Sequence, residues 1–140
     1  MFKNILVAFD GSKQSQEALK HALWIAKKTG ARTTVLHVVE EVLPFHEETG
    51  RSFIVQKELE AMAELELKKA KFIARKMKIK AEFEALHGHP AEKAIERARK
   101  GRFDLLVVGA KGKSAAERMF LGSVSESVLS HAHCAVLVVK

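Results

Sequence analysis

Three glycines and a serine occupy a short segment with spacing that suits phosphate binding. Gly109 and Gly112 follow an apolar, strand-like run, whereas Gly122 and Ser123 begin a segment of helical character. Glycine has no Cβ, so backbone N–H groups beside it can come close to a ligand. A helix N-terminus adds unpaired N–H donors and a partial positive charge. Two lysines lie in the same segment, which therefore predicts a phosphate site between residues 109 and 123.

Asp10 is the acidic residue that accompanies this segment, because it directly follows the first strand-like run. A carboxylate there can accept a hydrogen bond from a ribose hydroxyl or help to hold a phosphate-bound metal ion. Simpler interpretations remain open at this point. Asp10 to Ser12 is also typical of a turn with a helix cap, and Ser123 with Glu126 is typical of a capping box.

Neither of the two common phosphate-binding loops is present. Gly112-Lys113-Ser114 would end a P-loop, but that motif needs a glycine five positions before Gly112, where this chain has Val107. The closely spaced glycines of a dinucleotide-binding loop are also missing after the first strand-like run. The glycines of residues 109–123 must therefore belong to another pattern.

The elements that must position these residues alternate between strand and helix. Such alternation predicts one α/β domain over residues 1–140, with a parallel sheet covered by helices on both faces. In such sheets, ligands bind beyond the carboxyl ends of the strands, where the strand order reverses. The predicted strands are Lys3–Phe9, Arg32–Val39, Ile79–Leu86, Asp104–Val108 and Cys134–Val139, and the predicted helices are Ser12–Thr29, Phe53–Met77, Pro90–Lys100 and Ser123–His131.

The helix Phe53–Met77 has an apolar stripe that includes Met62 and Ile73, opposite a face of lysine and glutamate. This stripe is interpreted either as cover for the sheet or as part of a surface for a partner protein.

Composition and charge narrow the functional class. The longest apolar runs have the length of strands, which argues against a membrane span. Met1–Val7 has the character of a strand rather than of a leader peptide, and this favours a cytoplasmic location. A single cysteine excludes an internal disulfide framework. The net charge of +7 suggests nucleic acid, but lysines alternate with glutamates and tyrosine is absent, so direct nucleic-acid binding is not expected.

Gly109-x2-Gly112-x9-Gly122-Ser123 matches the pattern G-x2-G-x9-G-[S/T] of the universal stress protein family, ATP-binding branch. The resemblance extends along nearly the whole chain. Ile5–Ser12 resembles the family's opening strand and loop, Leu36–Val39 its second strand, Gly88–Ala91 its turn into the third helix, and Cys134–Val139 its closing strand.

This resemblance implies a Rossmann-like, adenine nucleotide alpha hydrolase-like fold, with one open five-stranded parallel sheet in the order 3-2-1-4-5. It also implies that ATP or another adenine nucleotide binds across strands one and four, with Mg or Mn held by the phosphates. Carried over residue by residue, Asp10 and Gly109 contact the ribose, Val38 reads adenine with Ala8, Phe9 and Val108 close by, and Gly112, Gly122, Ser123 and Val124 hold the phosphates.

Two residues depart from the family's pattern. Phe9 is bulkier than the usual valine, which is expected to reshape the adenine pocket. The resemblance further implies a homodimer through the closing strand, Ala135–Val139. Ala135 stands there in place of the usual proline, which is expected to give that potential edge an additional N–H donor.

The histidine pairs His87/His89 and His131/His133 have spacing that suits zinc on one strand face. In the implied topology the two pairs lie at opposite edges of the sheet, so capping and loop positions are the favoured interpretation.

Three functions remain open. The favoured one is a nucleotide-dependent regulator or sensor in the stress response, with an unknown protein partner. The second is a slow ATPase or autophosphorylating enzyme, in which Asp10 with metal and Ser114 or Ser123 would act, and Glu117 is the only nearby candidate base. The third is a partner-binding stress protein that does not use nucleotide.

Overall fold

The computed structural model describes residues 1–41, 51–112 and 121–140. Strands and helices alternate along the described chain, as the sequence predicts. The strands are β1 (Asn4–Ala8), β2 (Arg32–Val39), β3 (Glu82–His87), β4 (Leu105–Gly109) and β5 (Ala135–Val139), and the helices are α1 (Lys13–Thr29), α2 (Arg51–Lys76), α3 (Pro90–Lys100) and α4 (Ser123–His131).

The five strands form one parallel sheet in the order β3-β2-β1-β4-β5. The predicted fold class and strand order are therefore confirmed. The order reverses at β1, where Ile5 pairs with Thr33 of β2 on one side and with Leu105 of β4 on the other. The carboxyl ends of β1 and β4 consequently lie side by side, where a ligand crevice is expected in this class of fold.

The side chains of each strand alternate between two buried layers. On one face, Val7 and Val107 pack in a cluster that contains residues of α1 and α2. On the other face, Leu6 and Leu106 pack with residues of α3 and α4. Both faces are covered, which explains why β1 and β4 consist of continuous apolar residues rather than an alternating pattern.

The largest difference from the predicted boundaries lies at β3, which begins at Glu82 rather than at Ile79. Lys78 has a φ of 57°, and the N–H of Ile79 donates to the carbonyl of Ala74. Residues 78–79 therefore complete the turn that ends α2, and the strand can begin only after this turn.

The described structure also bears on membranes and metals. None of its helices combines the length and hydropathy that crossing a bilayer requires. His87 belongs to β3 and His133 precedes β5, so the two histidine pairs lie at opposite edges of the sheet. Within residues 1–41, 51–112 and 121–140, no three metal-ligating side chains of His, Cys, Asp or Glu cluster together.

Candidate functional site

Asp10 lies at the carboxyl end of β1 and connects two loops. Its Oδ1 accepts a hydrogen bond from the N–H of Ser12 at 2.9 Å, and the Ser12 side chain in turn caps α1 by accepting from the N–H of Ser15. The turn and the cap that the sequence suggested are both present. The other carboxylate oxygen, Oδ2, lies against the loop after β4, since a Cβ placed on Gly112 would be 2.7 Å from it.

The loop after β4 is held directly against the start of α4. The N–H of Gly122 donates to the carbonyl of Ala110 at 2.6 Å, and the N–H of Ala110 donates to Val139 of β5 at 2.7 Å. A Cβ on Gly122 would be 3.5 Å from the backbone nitrogen of Gly112. The structure thus brings together Asp10, Gly112 and Gly122, which are far apart in sequence.

Ser125 stabilises this junction, and sequence reasoning missed it. Its side chain is buried, and its hydroxyl lies 2.7 Å from the carbonyl of Ala110 and 3.0 Å from that of Gly122. The hydroxyl has one proton, so it donates to one carbonyl at a time. In the sequence, Ser125 occupies a position of this short helix where the spacing of apolar residues predicts burial. A buried serine is typically hydrogen-bonded to the backbone, so this position was the available signal.

The predicted capping box at Ser123 and Glu126 is wrong. The residue that caps α4 is Gly122, whose carbonyl accepts from the N–H of Glu126 at 3.0 Å, and Ser123 is the first residue of the helix. Glycine has no side chain to cap the helix with. The first N–H groups of α4, at Ser123 and Val124, precede the first intrahelical bond and have no acceptor within the helix. The partial positive charge of the helix start reinforces these donors.

The three glycines of the site have different structural roles. A Cβ on Gly109 would be 2.9 Å from the backbone of Gln14 and Ser15, so the close packing of β4 on α1 requires glycine there. Gly122 has φ −78° and ψ 167°, which any residue adopts, and a Cβ there would meet nothing closer than 3.4 Å. The described structure therefore needs a glycine at Gly109 but not at Gly122.

Gln14 is a second residue that the sequence did not reveal. Its side-chain oxygen accepts from the N–H of Lys111 at 2.6 Å, which ties the first turn of α1 to the loop after β4. The two residues are 97 positions apart, so no local pattern could have indicated the pair.

The residues predicted near adenine do not all share one face of the sheet. Ala8, Val38, Val108 and Val124 pack with the layer of α3 and α4. Phe9 is buried in the opposite layer, and its carbonyl accepts from the Nδ1 of His37 at 2.9 Å if that nitrogen carries the proton. The expectation that the bulk of Phe9 reshapes an adenine pocket is therefore wrong, because its side chain points away from Val38.

Several candidate reactive groups fall outside this geometry. Lys113, Ser114 and Glu117 lie outside the described residues. Burial raises the pKa of the Cys134 thiol, so the neutral, less nucleophilic form prevails at neutral pH. Of the predicted site residues, Asp10 is the one with a metal-ligating side chain, which fits a metal ion held mainly by the phosphates of a nucleotide rather than by the protein.

Comparison with known proteins gives one family. The model of the universal stress protein family matches residues 1–140. A universal stress protein of Methanocaldococcus jannaschii is 41% identical and is matched over 100% of this chain and 83% of its own length. The universal stress protein YxiE of Bacillus subtilis is 34% identical over the full length of both chains.

Solved structures of similar proteins share the fold. The universal stress protein UspA from Lactobacillus plantarum has a TM-score of 0.87 at 28% identity, covering 99% of this chain and 98% of its own. A universal stress protein in complex with cAMP has a TM-score of 0.77 at 26% identity, covering 99% and 97%. A universal stress protein from Archaeoglobus fulgidus in complex with dAMP shares the fold at 22% identity, with a TM-score of 0.69, covering 100% and 98%.

Proposed function

The chain belongs to the universal stress protein family, and on that premise we propose that it is a cytoplasmic, ATP-binding regulator that senses nucleotide in the stress response. The single observation that carries the proposal is Gly122. Neither its backbone angles nor its neighbours among the described residues call for glycine, yet glycine caps the helix beside Asp10 and Gly112. A ligand that approaches the backbone closely accounts for this residue.

The phosphates are assigned to the first N–H groups of α4. Gly112 and Gly122 place no Cβ beside these donors, and Ser123 and Val124 supply the N–H groups themselves. Ser123 is exposed and does not cap the helix, so its hydroxyl is available to a phosphate oxygen. An anion at this position is favoured both by direct hydrogen bonds and by the helix dipole.

The ribose is assigned to Asp10 and to the backbone at Gly109. A carboxylate repels phosphate but accepts hydrogen bonds from hydroxyl groups, so Asp10 suits the sugar better than the phosphates. Its hydrogen bond to Ser12 fixes its orientation in advance. Adenine then lies near Val38, Ala8 and Val108, with Phe9 contributing only backbone.

A magnesium or manganese ion is part of the proposal as a companion of the nucleotide. It would neutralise phosphate charge and be held by phosphate oxygens, with Asp10 as the protein carboxylate within reach. Binding of this kind needs no cluster of protein ligands.

We further propose a homodimer through the open edge of β5. The carbonyl of Val139 accepts from Ala110 of the neighbouring loop, so by alternation the N–H groups of Val136 and Val138 point to the open edge. Those groups are free to pair with the same strand of a second copy. The same alternation points the N–H of Ala135 towards β4, so the expectation that Ala135 adds a donor to the edge is wrong.

The test of the proposed function is calorimetry of the purified protein with ATP, ADP, AMP and cAMP, together with mass spectrometry of any nucleotide that co-purifies. ATP is expected to bind with micromolar affinity or better, which corresponds to about 8 kcal/mol. Absence of heat with all four nucleotides, from protein shown to be free of nucleotide, would contradict the proposal.

Incubation with labelled ATP separates a sensor from an enzyme. The proposal expects binding without phosphate release or label transfer above background. Phosphate release that continues over many turnovers would instead support the ATPase alternative.

A further inference from the structure

Helix α2 carries most of the exposed apolar surface of the described chain. Six of the nine large hydrophobic residues that are exposed there belong to this helix, and Leu65 and Phe72 are each 57% exposed. Apolar patches of this kind on a small protein mark an interaction surface. The six residues are Phe53, Ile54, Val55, Met62, Leu65 and Phe72.

The six exposed residues do not belong to the face of α2 that packs on the core. Ala63, Ala70 and Ala74 are buried, and the last two belong to the core beneath α1 and α2. Met62, which the sequence predicted to share that stripe, is 52% exposed. The small alanines pack the helix backbone close to the core, so the larger side chains flank that contact or point outward.

The outward residues repeat at intervals of four and three. Ile54, Glu58, Ala61, Leu65, Lys68, Phe72 and Arg75 follow this spacing, and all seven are exposed. A 4-3 repeat places residues along one seam of a helix, which is the pattern of helix pairing in coiled coils. The seam borders an apolar hollow of about 850 Å³ between α1 and α2, which Met62, Ile73 and Met77 help to line.

The charges of α2 are segregated along its length. Residues 58–66 contain no lysine or arginine and four glutamates, of which Glu58, Glu60 and Glu64 are exposed and Glu66 is buried, whereas residues 68–76 contain five lysines and arginines and no acidic residue. The helix dipole favours Arg75 and Lys76 in the last turn of α2, but it does not explain the glutamates, because its effect is confined to the terminal turns and the first turn contains no acidic residue.

We propose that α2 is a self-complementary surface that pairs antiparallel with α2 of a second copy of this chain. A two-fold axis between residues 66 and 67 superimposes the acidic segment of each copy on the basic segment of the other. Glu58 then faces Arg75 of the second copy, and Ala61 faces Phe72, a small residue against a large one. Along the seam, each residue that begins a three-residue step faces one that begins a four-residue step, as in antiparallel pairs of helices.

The overall charge makes this arrangement selective. Two chains of net charge +7 repel each other in most orientations. The antiparallel orientation is favoured because it alone brings each acidic segment against a basic one, and the two-fold axis repeats every such contact.

This surface is separate from the β5 edge. Helix α2 covers β2 and β3, whereas β5 forms the opposite edge of the sheet. Both surfaces can therefore be used at once, so that α2 joins β5-paired copies into larger assemblies.

The test is a charge exchange followed by sedimentation velocity over a range of protein concentrations. Glu58→Arg and Arg75→Glu are each expected to weaken α2-dependent association by about tenfold, since each places like charges together twice. The double variant restores both pairs in reversed order and is expected to recover the wild-type association constant. Both positions are exposed, so the variants should keep the wild-type circular dichroism spectrum.

Phe72→Ser serves as a second variant that removes the apolar contact with Ala61 of the second copy without reversing a charge pair, and it is expected to abolish the larger species. Repeating the series with the β5 edge blocked by Val138→Pro keeps the two surfaces distinguishable. The proposal is overturned if all variants sediment like the wild type, or if the double variant associates as weakly as the single ones.

Discussion

At the scale of single residues, Gly122 and Gly109 differ in what requires them. A Cβ on the first would lie at ordinary contact distance from its described neighbours, whereas a Cβ on the second would overlap the backbone of α1. Substitutions at the two positions should therefore separate ligand binding from stability.

Gly122→Val is expected to weaken ATP binding at least about tenfold, because its side chain would occupy the space beside the first N–H groups of α4. The urea midpoint is expected to change little, since a Cβ at this position meets nothing closer than 3.4 Å. Calorimetry and urea unfolding measure the two effects. Gly122→Ala, with a smaller side chain, should fall between wild type and valine in affinity; unchanged affinity in the valine variant would remove Gly122 from the site.

Gly109→Ala is expected to cost about 1–3 kcal/mol of unfolding free energy, because its Cβ would overlap backbone atoms that α1 cannot easily move. Chemical denaturation measures this cost, and Gly122→Ala is the matched control, with an expected change within about 0.5 kcal/mol. Equal losses in the two variants would contradict the distinction between them.

At the scale of elements, the site depends on how α4 is joined to β4. The carbonyl of Ala110 lies within hydrogen-bonding distance of both the N–H of Gly122 and the hydroxyl of Ser125. The Gln14 side chain joins α1 to the same loop. These bonds hold the start of each helix at a fixed distance from the end of β4, so donors for a ligand are positioned before it binds.

Ser125→Ala is expected to lower the free energy of unfolding by about 1 kcal/mol, because the substitution removes a buried hydroxyl that donates to a backbone carbonyl. Amide hydrogen exchange at Gly122 should accelerate as well, since the same junction loosens. Ser130→Ala is the control, because its hydroxyl also donates to a backbone carbonyl of α4 but is exposed. The assigned role of Ser125 would be refuted by equal stability and equal exchange rates in the two variants.

At the scale of the whole molecule, the open edge of β5 and the seam of α2 are the two surfaces that we propose for assembly. The first offers backbone donors, and the second offers apolar side chains with segregated charge. Backbone pairing and side-chain pairing respond to different substitutions, which makes the two surfaces separable.

Val138→Pro is expected to disrupt the homodimer through β5, because proline removes an N–H that points to the open edge and leaves the contacts with β4 in place. Light scattering after gel filtration should report a lower mass. Val138→Ala also removes the valine side chain but keeps the backbone N–H, so this variant should retain the wild-type mass. If the proline variant also does so, the proposed β5 interface is wrong.

The sequence alone was sufficient to predict the order of the elements and the family, and it indicated the segment that we propose for phosphate binding. Apolar runs indicated the strands, and the apolar stripe of Phe53–Met77 indicated α2. The spacing of Gly109, Gly112, Gly122 and Ser123 indicated the family. Such features are local, because propensity, capping and motif spacing depend on neighbours along the chain.

Only the tertiary structure decided which residues support one another across the sheet. Contacts between distant segments place Asp10 against Gly112 and Gln14 against Lys111, and they bury the side chain of Phe9. The same is true of α2, where periodicity gave an apolar stripe but packing determined which apolar residues face outward. Burial is set by what lies opposite a residue, and a single sequence records what the residue is without recording its neighbours in space.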